Sequence, residues 1–251
     1  MRATLRLWVR ATALVVHLVW GLALALALRL DVSGRLMPEA LAGAWSRRML
    51  RIFGIRLRVQ GAPLAGARLT VANHVSWLDI PLLSATQLTR FVAKSEIRDW
   101  PVAGTLAEAA GTLFIRRSRG GARPLLDRLV PHLQQTRHAV TLFPEGTTTD
   151  GSQVLPFHAR LFAAAQEAGC PVQPVALRYG RAADGRNLAP FIGDDDLVSH
   201  ILRLLREPAL EATLIYCEAL APAPREQLAV QAHAAICAAL DPHPVHWPLA
   251  A

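Results

Sequence analysis

Six short runs with the composition of buried strands recur from residue 68 onward, separated by segments of helical periodicity, and that alternation leaves few folds open. The strand candidates are Arg68 to Ala72, Arg90 to Ala93, Thr112 to Arg116, Ala139 to Phe143, Val172 to Arg178 and Thr213 to Cys217. Helical candidates fall near Leu78 to Ala85, Val102 to Ala110, Pro124 to Gln135, Phe157 to Ala168, Asp194 to Leu205 and Arg225 to Leu240. This order predicts an α/β sheet with helices on both faces. Gly180 to Asp195 reads as a surface loop, and the run Asp194-Asp195-Asp196 fits a helix N-cap better than a metal site. At 251 residues the chain can hold one such domain and an appendage.

The appendage is residues 1–60. Ten arginines there face only Asp31 and Glu39, which accounts for the whole net charge of +8; the remainder of the chain is balanced. Ala11 to Leu28 is an uncharged run of eighteen residues with Arg2, Arg6 and Arg10 before it and Arg29 after it. As a helix it would be about 27 Å long, just short of a ~30 Å hydrocarbon core. No clear small-x-small cleavage site precedes Arg29 and a second arginine-rich helix follows, so a signal peptide fits less well. A second helix, Arg35 to Phe53, carries an apolar stripe of Leu36, Leu41, Trp45, Leu50 and Phe53 beside Arg47, Arg48 and Arg51. Basic amphipathic helices favour anionic membrane surfaces, so residues 1–60 are expected to attach to a membrane, with 61–251 forming the α/β domain. The alternative is that both helices only pack on the core. Nucleic acid is not the expected partner, because the arginines flank an apolar run and do not interleave with aromatics. Cys170, Cys217 and Cys237 lack the spacing of a disulfide framework or a zinc site and fit a reducing compartment.

The functional signal lies where the first strand of the domain ends, in Asn73-His74-Val75-Ser76-Trp77-Leu78-Asp79. A turn into a helix at a strand end is where open α/β sheets present their chemistry. Histidine is suited to proton transfer near neutral pH, and a carboxylate on its second nitrogen would fix the tautomer and stabilise the imidazolium. Five residues of ideal helix would splay the two side chains by about 140°, so they meet only if the backbone turns between them. Otherwise they are a loop histidine and a helix-capping aspartate. Three further segments carry candidates. Gly111-Thr112-Leu113-Phe114-Ile115-Arg116-Arg117 is a glycine, a β run and two arginines, of which alternation sends one to a given cleft. Phe143-Pro144-Glu145-Gly146-Thr147-Thr148-Thr149 ends a strand in a tight turn. Val172 to Leu177 is an apolar strand interrupted by Pro174, which favours a strand start, a bulge or an edge. Solvated arginines, an ordinary turn and a plain strand start are the competing readings.

Taken together, these four ordered segments resemble the glycerolipid (lysophospholipid) acyltransferase family. Asn73, His74 and Asp79 match its Asn-His-x4-Asp block; Gly111, Phe114, Ile115 and Arg117 match its glycine-to-arginine block; Phe143 to Thr147 match Phe-Pro-Glu-Gly-Thr; and Pro174 matches its proline block. The likeness runs from about residue 55 to residue 220. It implies a mixed β-sheet flanked by helices, preceded by a membrane-associating helical pair. It implies that His74 is the general base on an acceptor hydroxyl, with Asp79 orienting it. The acyl group would come from acyl-CoA or acyl carrier protein as co-substrate, with no cofactor, no metal and no acyl-enzyme. Asn73, Gly111, Arg117, Glu145, Gly146, Thr147 and Pro174 would serve substrate binding, Arg117 by pairing with a phosphate. The resemblance also implies a bacterial inner membrane with the catalytic domain on its cytoplasmic side.

One departure bears on the acceptor. Family members acting on lysophosphatidic acid usually place an arginine after Phe-Pro-Glu-Gly-Thr, where this chain has Thr148. Threonine cannot reproduce a guanidinium's bidentate grip. By family frequency 1-acylglycerol-3-phosphate is the expected acceptor in phospholipid biosynthesis, and lyso-ornithine lipid is the alternative that the departure favours. A non-catalytic membrane lipid-binding protein and a metal-dependent hydrolase are the competing classes; the second lacks a further ligand cluster at metal-binding spacing. His158, His200, His233, His243 and His246 have no partner identifiable from sequence, and packing is the expectation for each.

Overall fold

A computed structural model describes residues 2–31, 36–115, 123–136, 138–182 and 184–241. Its centre is a seven-stranded sheet in the order β1-β7-β6-β2-β5-β3-β4. The strands are β1 (Ile55–Gln60), β2 (Arg68–Ala72), β3 (Thr89–Lys94), β4 (Leu113–Ile115), β5 (Ala139–Leu142), β6 (Val172–Tyr179) and β7 (Leu210–Tyr216). Every neighbouring pair is parallel except β6 with β7, so the sheet is mixed, as expected. The six expected strands are all present. β1 was not among them: its alternation of Ile55, Leu57 and Val59 with Arg56, Arg58 and Gln60 is the period of a half-covered edge strand, and its arginines group it by composition with the basic segment before it.

Helices cover both faces. On one lie α1 (Arg2–Leu30), α2 (Pro38–Phe53), α3 (Asp79–Thr86) and α7 (Leu197–Arg206), sharing a core with Ala72, Val175, Leu177 and Leu214 of the sheet. On the other lie α5 (Arg123–Gln135), α6 (Ala163–Ala168) and α8 (Arg225–Leu240), packed on Leu69, Val71, Val140 and Val172. The short α4 (Ala103–Ala109) precedes β4. Central β2 is buried along its whole length, which is why it shows no alternation of apolar and exposed polar residues. The expected helix Phe157 to Ala168 divides into a 3₁₀ turn, Ala159–Phe162, followed by α6. Of the expected second helix, Arg35 lies outside the described residues and the helix begins at Pro38, where a missing N–H costs nothing. It ends at Gly54, whose φ of 72° lets its N–H close back on Arg51 and Leu50.

α1 is long and apolar enough to cross a membrane, and one side of it packs on α2, α4 and α7. That side is Leu14, His17, Gly21 and Ala25, at helical spacing. Gly21 is required by the contact, since a Cβ there would lie 2.7 Å from Trp45 Nε1. The opposite side leaves Trp8, Val9, Val15, Val16, Val19 and Leu26 exposed. Arg6 and Arg10 donate to the carbonyls of Arg206 and Glu207 at 2.7 and 2.6 Å, satisfying groups that the end of α7 leaves open.

Because β2, β3, β5 and β6 run parallel, their carboxyl ends open on one edge of the sheet. The segments that follow β2 and β5 are the two carrying His74 and Glu145.

Candidate active site

At the end of β2 the Asn73 side chain takes the place of another strand residue. Its Nδ2 donates to the carbonyl of Leu177 at 3.0 Å and its Oδ1 accepts from the Leu177 N–H at 2.7 Å, pinning β2 to β6. The backbone then leaves the strand and wraps around the Asp79 carboxylate. Oδ2 of Asp79 accepts from the N–H groups of Val75 and Ser76 at 2.8 and 3.0 Å and stands 2.7 Å from His74 Nδ1. α3 begins at Asp79 itself, so the turn expected between the two residues is what joins them. The carboxylate is fully buried, and the imidazole keeps 19% of its surface. A carboxylate oxygen already holding two backbone donors can only accept, so His74 donates from Nδ1, and the neutral ring has its lone pair at Nε2. The imidazole stacks on Phe143, with ring centroids 3.9 Å apart and planes within 12°.

A residue that the sequence did not mark completes the pair. Tyr179, the last residue of β6, donates from its hydroxyl to Asp79 Oδ1 at 2.6 Å. Burial, and then the neighbouring carboxylate, push the phenol well above its ordinary pKa, so it remains a donor. Nothing in local periodicity sets this tyrosine apart. The only signal available was its position at the carboxyl end of a strand predicted to lie in the sheet.

The turn after β5 braces the same loop from the other side. Glu145 is buried; Oε1 accepts from the N–H of His74 at 2.7 Å and Oε2 from the N–H of Leu155 at 2.8 Å. Burial raises its pKa, and the two backbone bonds oppose the rise. Gly146, at φ 73°, closes the turn with its N–H on the Phe143 carbonyl at 3.1 Å, and the Thr149 N–H reaches the His74 carbonyl at 2.9 Å. Thr147 is exposed on this turn. The Thr148 hydroxyl has its proton engaged, donating to the Phe191 carbonyl at 2.6 Å. Phe191 in turn donates its N–H to the carbonyl of Val75 at 3.0 Å, so part of the segment expected as a surface loop is fastened to the 74–79 turn, with Leu188 and Ala189 buried.

The remaining candidates are placed elsewhere. Gly111 precedes β4 at the amino end of that strand, where a Cβ would meet the Arg90 side chain at 3.0 Å. Pro174 lies inside β6 opposite Val71, at the point where β7 ends, and its carbonyl accepts from Cys217. That is a ladder end in a central strand, and a ring without an N–H fits there. Arg117 lies outside the described residues. Lys94, the single lysine, sits exposed at the carboxyl end of β3 on the same edge as His74 and has no ion pair among the described residues. Among the described residues no cluster of three His, Cys, Asp or Glu side chains is placed to hold a metal. Asp196, from the acidic run, caps α7 by accepting from the Ser199 N–H at 2.7 Å, as expected.

Residues 56–178 match the family model described as Acyltransferase, and they contain the histidine, the aspartate and the glutamate turn. The chain is 44% identical over 248 residues to a lyso-ornithine lipid O-acyltransferase from Pseudomonas aeruginosa, covering 95% of each protein. The chain belongs to the acyltransferase family. This acyltransferase is also 43% identical over 138 residues to a 1-acyl-sn-glycerol-3-phosphate acyltransferase from Neisseria gonorrhoeae, 55% of this chain and 54% of that one. Its fold matches the crystal structure of the 1-acyl-sn-glycerophosphate acyltransferase PlsC from Thermotoga maritima with a TM-score of 0.71 at 22% identity, over 98% and 97% of the two chains.

Proposed function

We propose that this acyltransferase moves a fatty acyl group from acyl-CoA or acyl carrier protein to the free hydroxyl of a lysolipid, and that lyso-ornithine lipid is the acceptor. The observation that carries the reaction is the orientation of His74: Nδ1 is engaged by Asp79, and Nε2 is left as the base. In the proposed step Nε2 takes the acceptor's proton as its oxygen attacks the thioester carbonyl. The tetrahedral intermediate collapses, the C–S bond breaks, and the departing thiolate takes the proton from Nε2. The imidazolium that forms between these events lies against the buried Asp79 carboxylate, which stabilises it. The substrate supplies its own nucleophile, so no acyl-enzyme and no cofactor is part of this route.

Two observations support the phosphate-free acceptor. The similarity to the P. aeruginosa lyso-ornithine lipid enzyme spans nearly the whole chain. The position usually held by a phosphate-binding arginine is Thr148, whose hydroxyl is already used on Phe191. Lys94 at the strand edge favours a second reading, in which an anionic headgroup such as that of 1-acylglycerol-3-phosphate is held without that arginine.

The same proposal places α1 and α2 on a bacterial inner membrane with the domain on the cytoplasmic side. The outward face of α1 is apolar while its inner face is packed on the domain, which suits a helix lying in the interface. The test is acyl transfer by the purified protein in detergent to a panel of lysolipids from both donors, with His74→Ala alongside. Product with lyso-ornithine lipid that disappears in the variant is expected. Product only with 1-acylglycerol-3-phosphate would move the enzyme to the second reading, and no turnover with any acceptor would favour a lipid-binding protein.

A further inference from the structure

The turn that brings His74 to Asp79 contains Trp77, and this indole is tied to a residue far away in sequence. Trp77 Nε1 lies 2.9 Å from Nδ1 of His200 on α7, and Nε2 of His200 lies 2.9 Å from the carbonyl of Leu188. An indole N–H can only donate. Nδ1 of His200 must therefore accept, the proton sits on Nε2, and Nε2 donates to Leu188. The ring is completely buried, and burial lowers its pKa, which keeps it in the neutral form this arrangement requires. Both ring nitrogens are therefore matched to groups of opposite character. Around it, Phe191 packs at 5.4 Å and Phe53 meets Trp77 edge-on at 5.5 Å.

We propose that His200 is a positioning residue for acyl transfer, acting through Trp77 to hold the 74–79 turn closed on the Asp79 carboxylate. Among the described residues the turn's other bonds beyond itself and α3 run to Glu145 and Thr149 after β5, to Phe191 and, from Asp79, to Tyr179 of β6, so the bond from Trp77 to His200 is its tie to α7. Without that tie the residues between His74 and Asp79 would lose their hydrogen bond to α7 and keep those to the β5 side and to Phe191. The geometry for proton transfer would then be occupied a smaller fraction of the time, lowering kcat with little change in acceptor binding. The assay rests on the acyl-transfer reading above.

The test uses the full chain in detergent with acyl-CoA and whichever lysolipid it acylates. Trp77→Phe and His200→Phe should each lower kcat about tenfold, with acceptor KM within about twofold. The double variant should be no slower than His200→Phe alone, because the bond that Trp77→Phe removes is already gone there. His200→Asn keeps an oxygen near the Nδ1 position and should retain most of the rate. His200→Gln can serve only the Leu188 side and should behave like His200→Phe. A role in filling space would reverse that order, and His200→Gln outperforming His200→Asn overturns the proposal, as does a multiplicative loss in the double variant. Hydrogen exchange of residues 74–79 reads the same tie without substrate. It should quicken in Trp77→Phe and His200→Phe but not in His200→Asn. Unchanged exchange overturns the positioning role even if no lysolipid is acylated, whereas absent turnover with the expected exchange pattern would defeat only the acyl-transfer reading.

Discussion

Two substitutions of Asp79 should separate its structural work from its chemical work. In Asp79→Ala four donors lose their acceptor: the N–H groups of Val75 and Ser76, His74 Nδ1 and the Tyr179 hydroxyl. Val75 and Ser76 are buried, and each unsatisfied buried donor costs about 1–3 kcal/mol, so these two amides alone put the loss at about 2–6 kcal/mol. Asp79→Asn keeps an amide oxygen where Oδ2 accepts its three bonds, and Tyr179 can turn its hydroxyl to accept from the new NH₂. Its stability should therefore fall by only about 1 kcal/mol. What the asparagine removes is the charge facing the imidazolium. With charge centres about 4 Å apart and an effective dielectric near 20, that attraction is about 4 kcal/mol, roughly three powers of ten in rate. Thermal unfolding and single-turnover acyl transfer would be measured on both variants. Asp79→Asn should unfold close to the parent and react about 10²- to 10⁴-fold more slowly; Asp79→Ala should fail on both counts. An Asp79→Asn protein that unfolds with the parent and keeps more than about a tenth of its rate would refute the assigned role of the carboxylate.

Tyr179→Phe deletes one bond to a buried charge, so stability should fall by about 1.5–3 kcal/mol and kcat by about tenfold, read by unfolding and steady-state kinetics. A rate equal to the parent's would leave Tyr179 with a packing role only. Thr148→Arg should raise the ratio of kcat/KM for 1-acylglycerol-3-phosphate over lyso-ornithine lipid. It should also lower stability by about 0.5–1.5 kcal/mol, because the bond to the Phe191 carbonyl goes with the hydroxyl. An unchanged ratio would sink the account of position 148. Glu145 has a folded pKa raised above its unfolded value by burial, so its contribution is full below the unfolded pKa and is lost as pH rises through the folded one. The stability difference between the parent and Glu145→Gln, followed by denaturant unfolding, should therefore shift against the parent as pH climbs through and above the ordinary carboxylate range. A difference independent of pH there would contradict the assigned direction.

The central strands were legible because burial on both sides gives short, mostly apolar, β-branched runs bounded by turn residues. Leu69, Thr70 and Val71 have no exposed surface, and the run they form can be little else. β1 escaped because three of its six residues are arginine or glutamine on the open side of an edge. Its period-2 alternation was present, but a charge count over residues 1–60 outweighs it. The split of the helix before α6 has a similar cause: the backbone of His158 is held by the Pro144 carbonyl, a bond made by the turn after β5 and invisible in helical periodicity.

The site divides along a physical line. His74 and Asp79 could be read from the chain because they meet within seven residues, and the bonds that close the turn are local. The structure places Glu145 and Asn73 beside this pair, but sequence says nothing of which atoms they serve: both spend polar groups on backbone, 71 and 104 residues away. Tyr179 and His200 act over separations of 100 and 123 residues, so no window of sequence contains them together with what they hold. The pattern has a chemical reason. The base that we propose is one atom, Nε2, whereas keeping it aimed depends on hydrogen bonds that reach the turn from the segment after β5, the end of β6 and α7. Residues that touch substrate can therefore be few and local, while those that hold them in place are recruited from the whole fold. The loss of activity on changing a residue such as Tyr179 or His200 would then measure how rigidly the edge is held.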